Sequence, residues 1–247
     1  PRAGMGGRIY ASTPYPPDRP ILMHNESSHL NCWPLRILFF CQQPAEQGGE
    51  TPIADCRKVY RAIPASLRQA LREKQLMYVR NFVPGFDVRW QDFFQTEDKA
   101  EVEARCRQAG ITCEWTAGEV LRTRQVRQAV AIHPRTGEAV WFNQLPLHHV
   151  AALPAEVRAS LLASLSEDHL PRHVYYGDGS PISDEEVSAI LAAYDQAAVT
   201  FPWRQGDVLL VDNMLTAHSR NPYQGERSIQ VAMGEMMTAD QSQSGSA

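Results

Sequence analysis

A histidine and a carboxylate two residues apart, His24 and Glu26, follow the apolar run Ile21-Leu22-Met23. In an extended strand, residues i and i+2 share a face, so the pair predicts an imidazole and a carboxylate aimed at one point. An iron(II) oxygenase site needs two His and one carboxylate on one side of the metal, with the other side open. The pair alone says little, because 8 His and 28 acidic residues among 247 supply about one His-x-acid pair by chance. A third donor lies far downstream. The stretch Gly206-Asp207-Val208-Leu209-Leu210-Val211-Asp212-Asn213-Met214-Leu215-Thr216-Ala217-His218 reads as a turn, a buried strand, a polar loop and then a histidine. Beyond it Arg227 enters the last apolar strand. Its guanidinium could grip, through two parallel hydrogen bonds, the far carboxylate of a dicarboxylate whose other end chelates iron. Thr51, after Gly48-Gly49-Glu50, could add a hydroxyl to the same carboxylate.

The elements that must position these groups are mostly short strands. Prolines 14, 16, 17 and 20 exclude a helix ahead of His24. Arg36-Ile37-Leu38-Phe39-Phe40-Cys41 predicts a strand buried on both faces. Helices are predicted from Asp55, from Pro64 through Leu71, from Thr96 to Gly110, over 154–165, and over 183–199, the last with Ser183 and Glu186 at capping-box spacing. Further strands are predicted over 77–83, 111–115, 129–133, 139–142, 207–211 and 229–233, with a hairpin across Pro134-Arg135-Thr136-Gly137. Many strands with no regular strand-helix alternation predict an antiparallel sandwich or barrel carrying helical insertions. A dinucleotide fold is not supported, because Gly177-Asp178-Gly179 lacks a third glycine.

A formal net charge of -4 and a pI near 6.1 argue against a nucleic-acid surface. No apolar run reaches the length of a membrane span or a signal peptide, so a cytoplasmic location is expected. Five cysteines with no Cys-x-x-Cys spacing predict reduced thiols. One domain over 1–240 with a flexible tail over 241–247 is the simplest organisation. The chain opens without Met and reaches His24 early, so preceding residues are expected to be missing.

Five strings, His24-Asn25-Glu26, Gly48-Gly49-Glu50-Thr51-Pro52, Trp141-Phe142-Asn143-Gln144, Tyr176-Gly177-Asp178-Gly179-Ser180 and Asp212-Asn213-Met214-x-x-Ala217-His218 followed by Arg227, together resemble the taurine dioxygenase superfamily of iron(II)/2-oxoglutarate oxygenases. More narrowly they resemble the branch that hydroxylates amino acids in nonribosomal peptide assembly. The resemblance runs from about Tyr10 to about Met233. It implies a mainly β fold with helical insertions, a double-stranded β-helix (a cupin-like jelly roll) with iron at its open mouth. It also implies that His24, Glu26 and His218 bind Fe(II), and that Arg227 and Thr51 hold the 2-oxoglutarate co-substrate. The wider superfamily uses Asp where Glu26 stands, and Glu fits the narrower branch. The implied reaction uses O2, releases succinate and carbon dioxide, and hydroxylates an unactivated C–H of an amino acid, free or tethered to a peptidyl carrier protein.

Substrate contacts are expected from Arg80 or Arg122 to a carboxylate, and from Asn143, Tyr10, Ser12 and Thr13 near the mouth. The remaining histidines read as structural, since Pro171 breaks the helix that would align His169 with His173. Three other functions compete: desaturation or cyclisation at the same centre, a jelly-roll binding protein without chemistry, and a zinc hydrolase. The first shares every residue above. The second leaves the complete donor set unexplained, and the third leaves Arg227 unexplained. The oligomeric state is not legible.

Overall fold

The structure, a computed structural model, describes residues 9–11 and 15–239. The expected tail over 241–247 lies outside the described residues, as do Ser12, Thr13 and the side chain of Tyr10. Strands come first: β1 Ile9–Ala11, β2 Ile21–His24, β3 Cys32–Gln43, β4 Gln47–Gly48 and β5 Ile53–Asp55. Helices α1 Cys56–Ala62 and α2 Ala65–Lys74 lead to β6 Leu76–Asn81. Next are α3 Trp90–Phe94, α4 Lys99–Gln108, β7 Thr112–Trp115, β8 Leu121–Arg127, β9 Val130–Ile132 and β10 Ala139–Trp141. A helical stretch, α5 Leu145–His148 and α6 Ala155–Ser164, precedes β11 Arg172–Tyr176 and α7 Asp184–Ala197. The chain continues through β12 Ala198–Val199, β13 Val208–Asp212, β14 Thr216–Arg220, β15 Tyr223–Gln224 and β16 Ser228–Thr238.

Three four-stranded sheets form, with orders β1-β16-β3-β13, β12-β5-β14-β2 and β11-β6-β8-β7, and every ladder is antiparallel. β9 and β10 make the expected hairpin. The first two sheets face one another. Ile37, Phe39 and Cys41 alternate along β3 and bury with Val211, Ile229 and Val231 of its neighbours, as a period of two requires. Phe39 reaches across to the ring of His218 on β14, at 5.2 Å between centroids. The other face of β3 carries Leu38 and Phe40 half-buried, which corrects the expectation of a strand closed on both faces.

The helices start where their caps stand. Asp55 accepts from the Arg57 amide at 2.9 Å and Asp98 from the Ala100 amide at 2.8 Å, while Ser183 and Glu186 close a reciprocal capping box on α7. Helices α1 and α7 pack their buried faces, Cys56 and Val59 with Val187 and Ile190, into one core with Trp33, Trp141 and Phe142. Several strands differ from the sequence expectation, among them β14, which carries His218 where a polar loop is expected, and β8 and β11. β8 carries Arg122, Arg124 and Arg127 and shows no apolar alternation, and β11 follows directly on Pro171. No described helix is long and apolar enough to cross a membrane.

Candidate metal centre

β2 and β14 pair so that His24 stands directly opposite His218. Their rings lie 4.4 Å apart between centroids. The ladder slips between His218 and Arg220, a bulge of the kind that re-aims side chains next to a site. One ligand atom from each of His24, Glu26 and His218 lies within 4.8 Å of the others, the one such group among the described residues. The donor chemistry fits a metal ion. His24 Nδ1 lies 2.8 Å from the Leu22 carbonyl, and a carbonyl only accepts, so Nδ1 carries the proton and Nε2 keeps its lone pair for a cation.

Glu26 does not reach the site by strand alternation. β2 ends at His24, and Glu26 lies in the turn that follows. What places it is Asn213, fully buried, whose Oδ1 accepts from the Glu26 amide at 2.8 Å and whose Nδ2 donates to the Glu26 carbonyl at 2.9 Å and to the Pro34 carbonyl at 2.9 Å. Asn25 adds a bond from Nδ2 to the Asn213 carbonyl at 2.6 Å, and Gln144 donates to the Asn25 carbonyl at 3.0 Å. Ser27 then turns the chain with φ 59°, a conformation that costs a non-glycine residue energy and that the surrounding bonds hold in place.

Beside the triad, Arg227 is held by Nε to the Gly49 carbonyl at 2.8 Å and by Nη2 to Thr51 Oγ1 at 3.4 Å. Burial, then the charge of Arg220, lowers its pKa to about 10, so it remains a cation at neutral pH. The Thr51 hydroxyl also accepts from Trp203 Nε1 at 3.0 Å. With two donors already pointing at its oxygen, its own proton is left to donate to a ligand. Arg227 and Thr51 therefore present a cation and a hydroxyl donor side by side, which suits a carboxylate.

Gly48 and Gly49 make this close approach feasible. At Gly48, φ is +68° and a Cβ would stand 2.2 Å from the Pro222 carbonyl oxygen; at Gly49, φ is +73° and a Cβ would meet Arg227 Cδ at 3.0 Å. Gly48→Ala is expected to destabilise the fold by about 1–3 kcal/mol through backbone strain and collision with a backbone oxygen. The measurement is the urea midpoint; an unchanged midpoint would contradict the packing described.

The sequence matches the Taurine catabolism dioxygenase TauD, TfdA family over residues 4–233. This chain belongs to that family. It is thus a 2-oxoglutarate-dependent non-haem iron dioxygenase, the class to which the His-Glu-His group and its neighbouring cation belong chemically. Among curated relatives, the Dapdiamide synthesis protein DdaC of Enterobacter agglomerans is 47% identical over 225 residues, covering 91% of this chain and 68% of the relative. The Clavaminate synthase-like protein At3g21360 of Arabidopsis thaliana is 30% identical over 240 residues, covering 93% and 69%. Among solved structures, asparagine oxygenase in complex with Fe(II), 2S,3S-3-hydroxyasparagine and succinate superposes with a TM-score of 0.51 at 15% identity, over 92% of this chain and 56% of that one. At that identity the likeness concerns the fold.

In this dioxygenase the triad, Arg227 and Thr51 all line one cavity of about 950 Å³, between the sheets that carry β2 with β14 and β3 with β16. Its volume lies near the upper end for sites that take drug-sized ligands. Arg80, Arg122 and Asn143 do not line it. Arg80 donates to Asp87 at 2.7 and 3.0 Å and stacks on Phe82 and Phe93. Arg122 pairs with Asn81 across the ladder, on the face opposite Arg80, and lines a second cavity of about 150 Å³. Asn143 is fully buried and spends its amide on the Ala129 carbonyl and the Leu145 amide. Residues unforeseen from sequence take their place on the cavity wall: His29, which burial holds neutral with a pKa of about 4, and Arg172.

Proposed function

We propose that this dioxygenase hydroxylates an unactivated C–H of an amino acid in secondary metabolism, working in the cytoplasm from a double-stranded β-helix built as one domain. The observation that carries the reading is the opening of His24, Glu26 and His218 into the same cavity as Arg227 and Thr51. His24, Glu26 and His218 would hold the iron, and Arg227 with the Thr51 hydroxyl would hold the far carboxylate of 2-oxoglutarate. Iron(II) with 2-oxoglutarate and O2 supplies the oxidising equivalents for C–H hydroxylation, with succinate and carbon dioxide released. The protein's own part is positioning. His24 and His218 are fixed by the β2–β14 ladder, Glu26 by Asn213, and Arg227 by Gly49. The substrate is an amino acid, free or presented on a peptidyl carrier protein, and the 47% identity to a dapdiamide synthesis protein supports a biosynthetic role of this kind without bearing on the carrier.

The test is O2-dependent succinate release by the iron-loaded protein with 2-oxoglutarate, across free and carrier-bound amino acids, followed by product mass. A product heavier by one oxygen supports hydroxylation, and one lighter by two hydrogens points to desaturation or cyclisation. Intact metal binding with no turnover on any member of the panel would sink the reading.

A further inference from the structure

Arg172 opens β11 as the ladder partner of Arg80, so the two guanidinium groups share one face of their sheet. Between them stands Asp87. It already accepts from Arg80 Nε and Nη2 and from the Val88 amide at 2.8 Å, whereas Arg172 Nη2 stands off at 3.6 Å. One carboxylate between two guanidinium groups leaves one positive charge uncompensated, and the geometry places that excess on Arg172. Desolvation, with the charge of Arg80 acting in the same direction, lowers the Arg172 pKa against the opposing pull of Asp87, as befits a cation that only shares its counter-ion. Yet 48% of its side-chain surface is open, and Arg172 lines the cavity of the triad.

The other arginines that line this cavity differ. Arg220 is spent on the carbonyls of Tyr15, Pro16 and Arg19 at 3.1, 2.6 and 2.6 Å. Arg227 is tied to Gly49 and Thr51. Arg19 sits on an exposed loop, unlike Arg172, whose backbone a ladder holds in register. The wall formed by Leu147, Ala151, Leu153, Val157 and Leu191 is apolar. The cavity thus offers one cation whose close carboxylate is already held more tightly by Arg80, and an apolar surface for the body of a small molecule.

We propose that Arg172 receives the free carboxylate of the substrate, so that the substrate enters as an unesterified amino acid and not as a thioester through that carboxyl group. This rests on the reading of the site as an amino-acid hydroxylase. It adds a specificity-determining residue, because anchoring the carboxylate there and the body on the apolar wall fixes which C–H faces the triad. A guanidinium grips a carboxylate with two parallel bonds and loses that grip on an amide.

The test is calorimetric binding without oxygen, to protein loaded with iron(II) and 2-oxoglutarate, of the common L-amino acids, their C-terminal amides and their pantetheine thioesters. At least one acid is expected to bind, with its amide weaker by roughly tenfold or more. Arg172→Leu should bring the acid down to the level of the amide while leaving the amide where it was, and Arg172→Lys should recover part of the difference. Equal binding of acid and amide, an acid-to-amide ratio that survives R172L, no binding by any acid, or tighter binding of the thioesters would each overturn the assignment. A parallel titration with 2-oxoglutarate alone separates the two readings. Failure of the wild-type protein to bind it removes the hydroxylase reading itself, whereas normal 2-oxoglutarate binding without acid preference removes only Arg172. The same titration on R172L, expected to match wild type, checks that the variant is folded.

Discussion

His218→Ala is expected to lower iron(II) affinity by roughly 10²-fold or more and to abolish O2-dependent succinate release, since loss of a direct donor should exceed the 10–100-fold typical of losing a residue that merely orients one. His218 stands in the middle of β14, and its backbone is held on both sides by β2 and β5. Removing the imidazole leaves those ladders intact, so the far-ultraviolet spectrum should be preserved while metal retention against a chelator fails. The ring also packs edge-on against Phe39, and its loss opens a small cavity, so a modest fall in melting temperature is expected as well. A variant that keeps both iron and turnover would move the third donor elsewhere in the chain.

Arg227→Ala should raise the 2-oxoglutarate requirement by about 10²-fold or less with the fold intact, the effect of removing charge-assisted hydrogen bonds worth about 1.5–3 kcal/mol. The guanidinium is already desolvated in the protein, which lowers its pKa to about 10. A carboxylate arriving beside it therefore recovers an interaction that water no longer screens. Arg227→Lys should fall between the two, because an ammonium keeps the charge but not the fork, nor the simultaneous reach to Gly49 and to a ligand. Titration of 2-oxoglutarate against the iron-loaded variants reads this directly. An unchanged requirement in the alanine variant would place the clamp on another cation lining the cavity.

Much of the site was legible because its chemistry is written in rare residue types at fixed places. His24, Glu26, His218, Arg227 and Thr51 stand out by type and string, and the structure brings all five to one cavity. The route by which Glu26 arrives was not legible. An i, i+2 strand argument suggested it, but the turn after β2 is set by Asn213 from the far end of the chain. Arginines on strands illustrate a second limit. Arg80 and Arg172 share a face and Arg122 lies on the other, and only the register of three strands decides this. Nothing in the local sequence of β8, with its three arginines, gives an apolar alternation from which to read that register. Helix starts are more legible where capping chemistry is local: Asp55 and Ser183 cap α1 and α7 where expected, whereas α4 is capped by Asp98, two residues past the expected Thr96.

The pairing of β2 with β14 also bears on the order of folding. Its partners lie close to opposite ends of the described chain, so the site cannot exist until nearly everything between them has collapsed. Such a contact has the large loop-closure cost of long sequence separation and belongs among the last to form. A metal ion bound there would act as a clasp on the finished fold. Its affinity would add to global stability by mass action, so stability should rise with free iron(II) concentration and fall with its chelation.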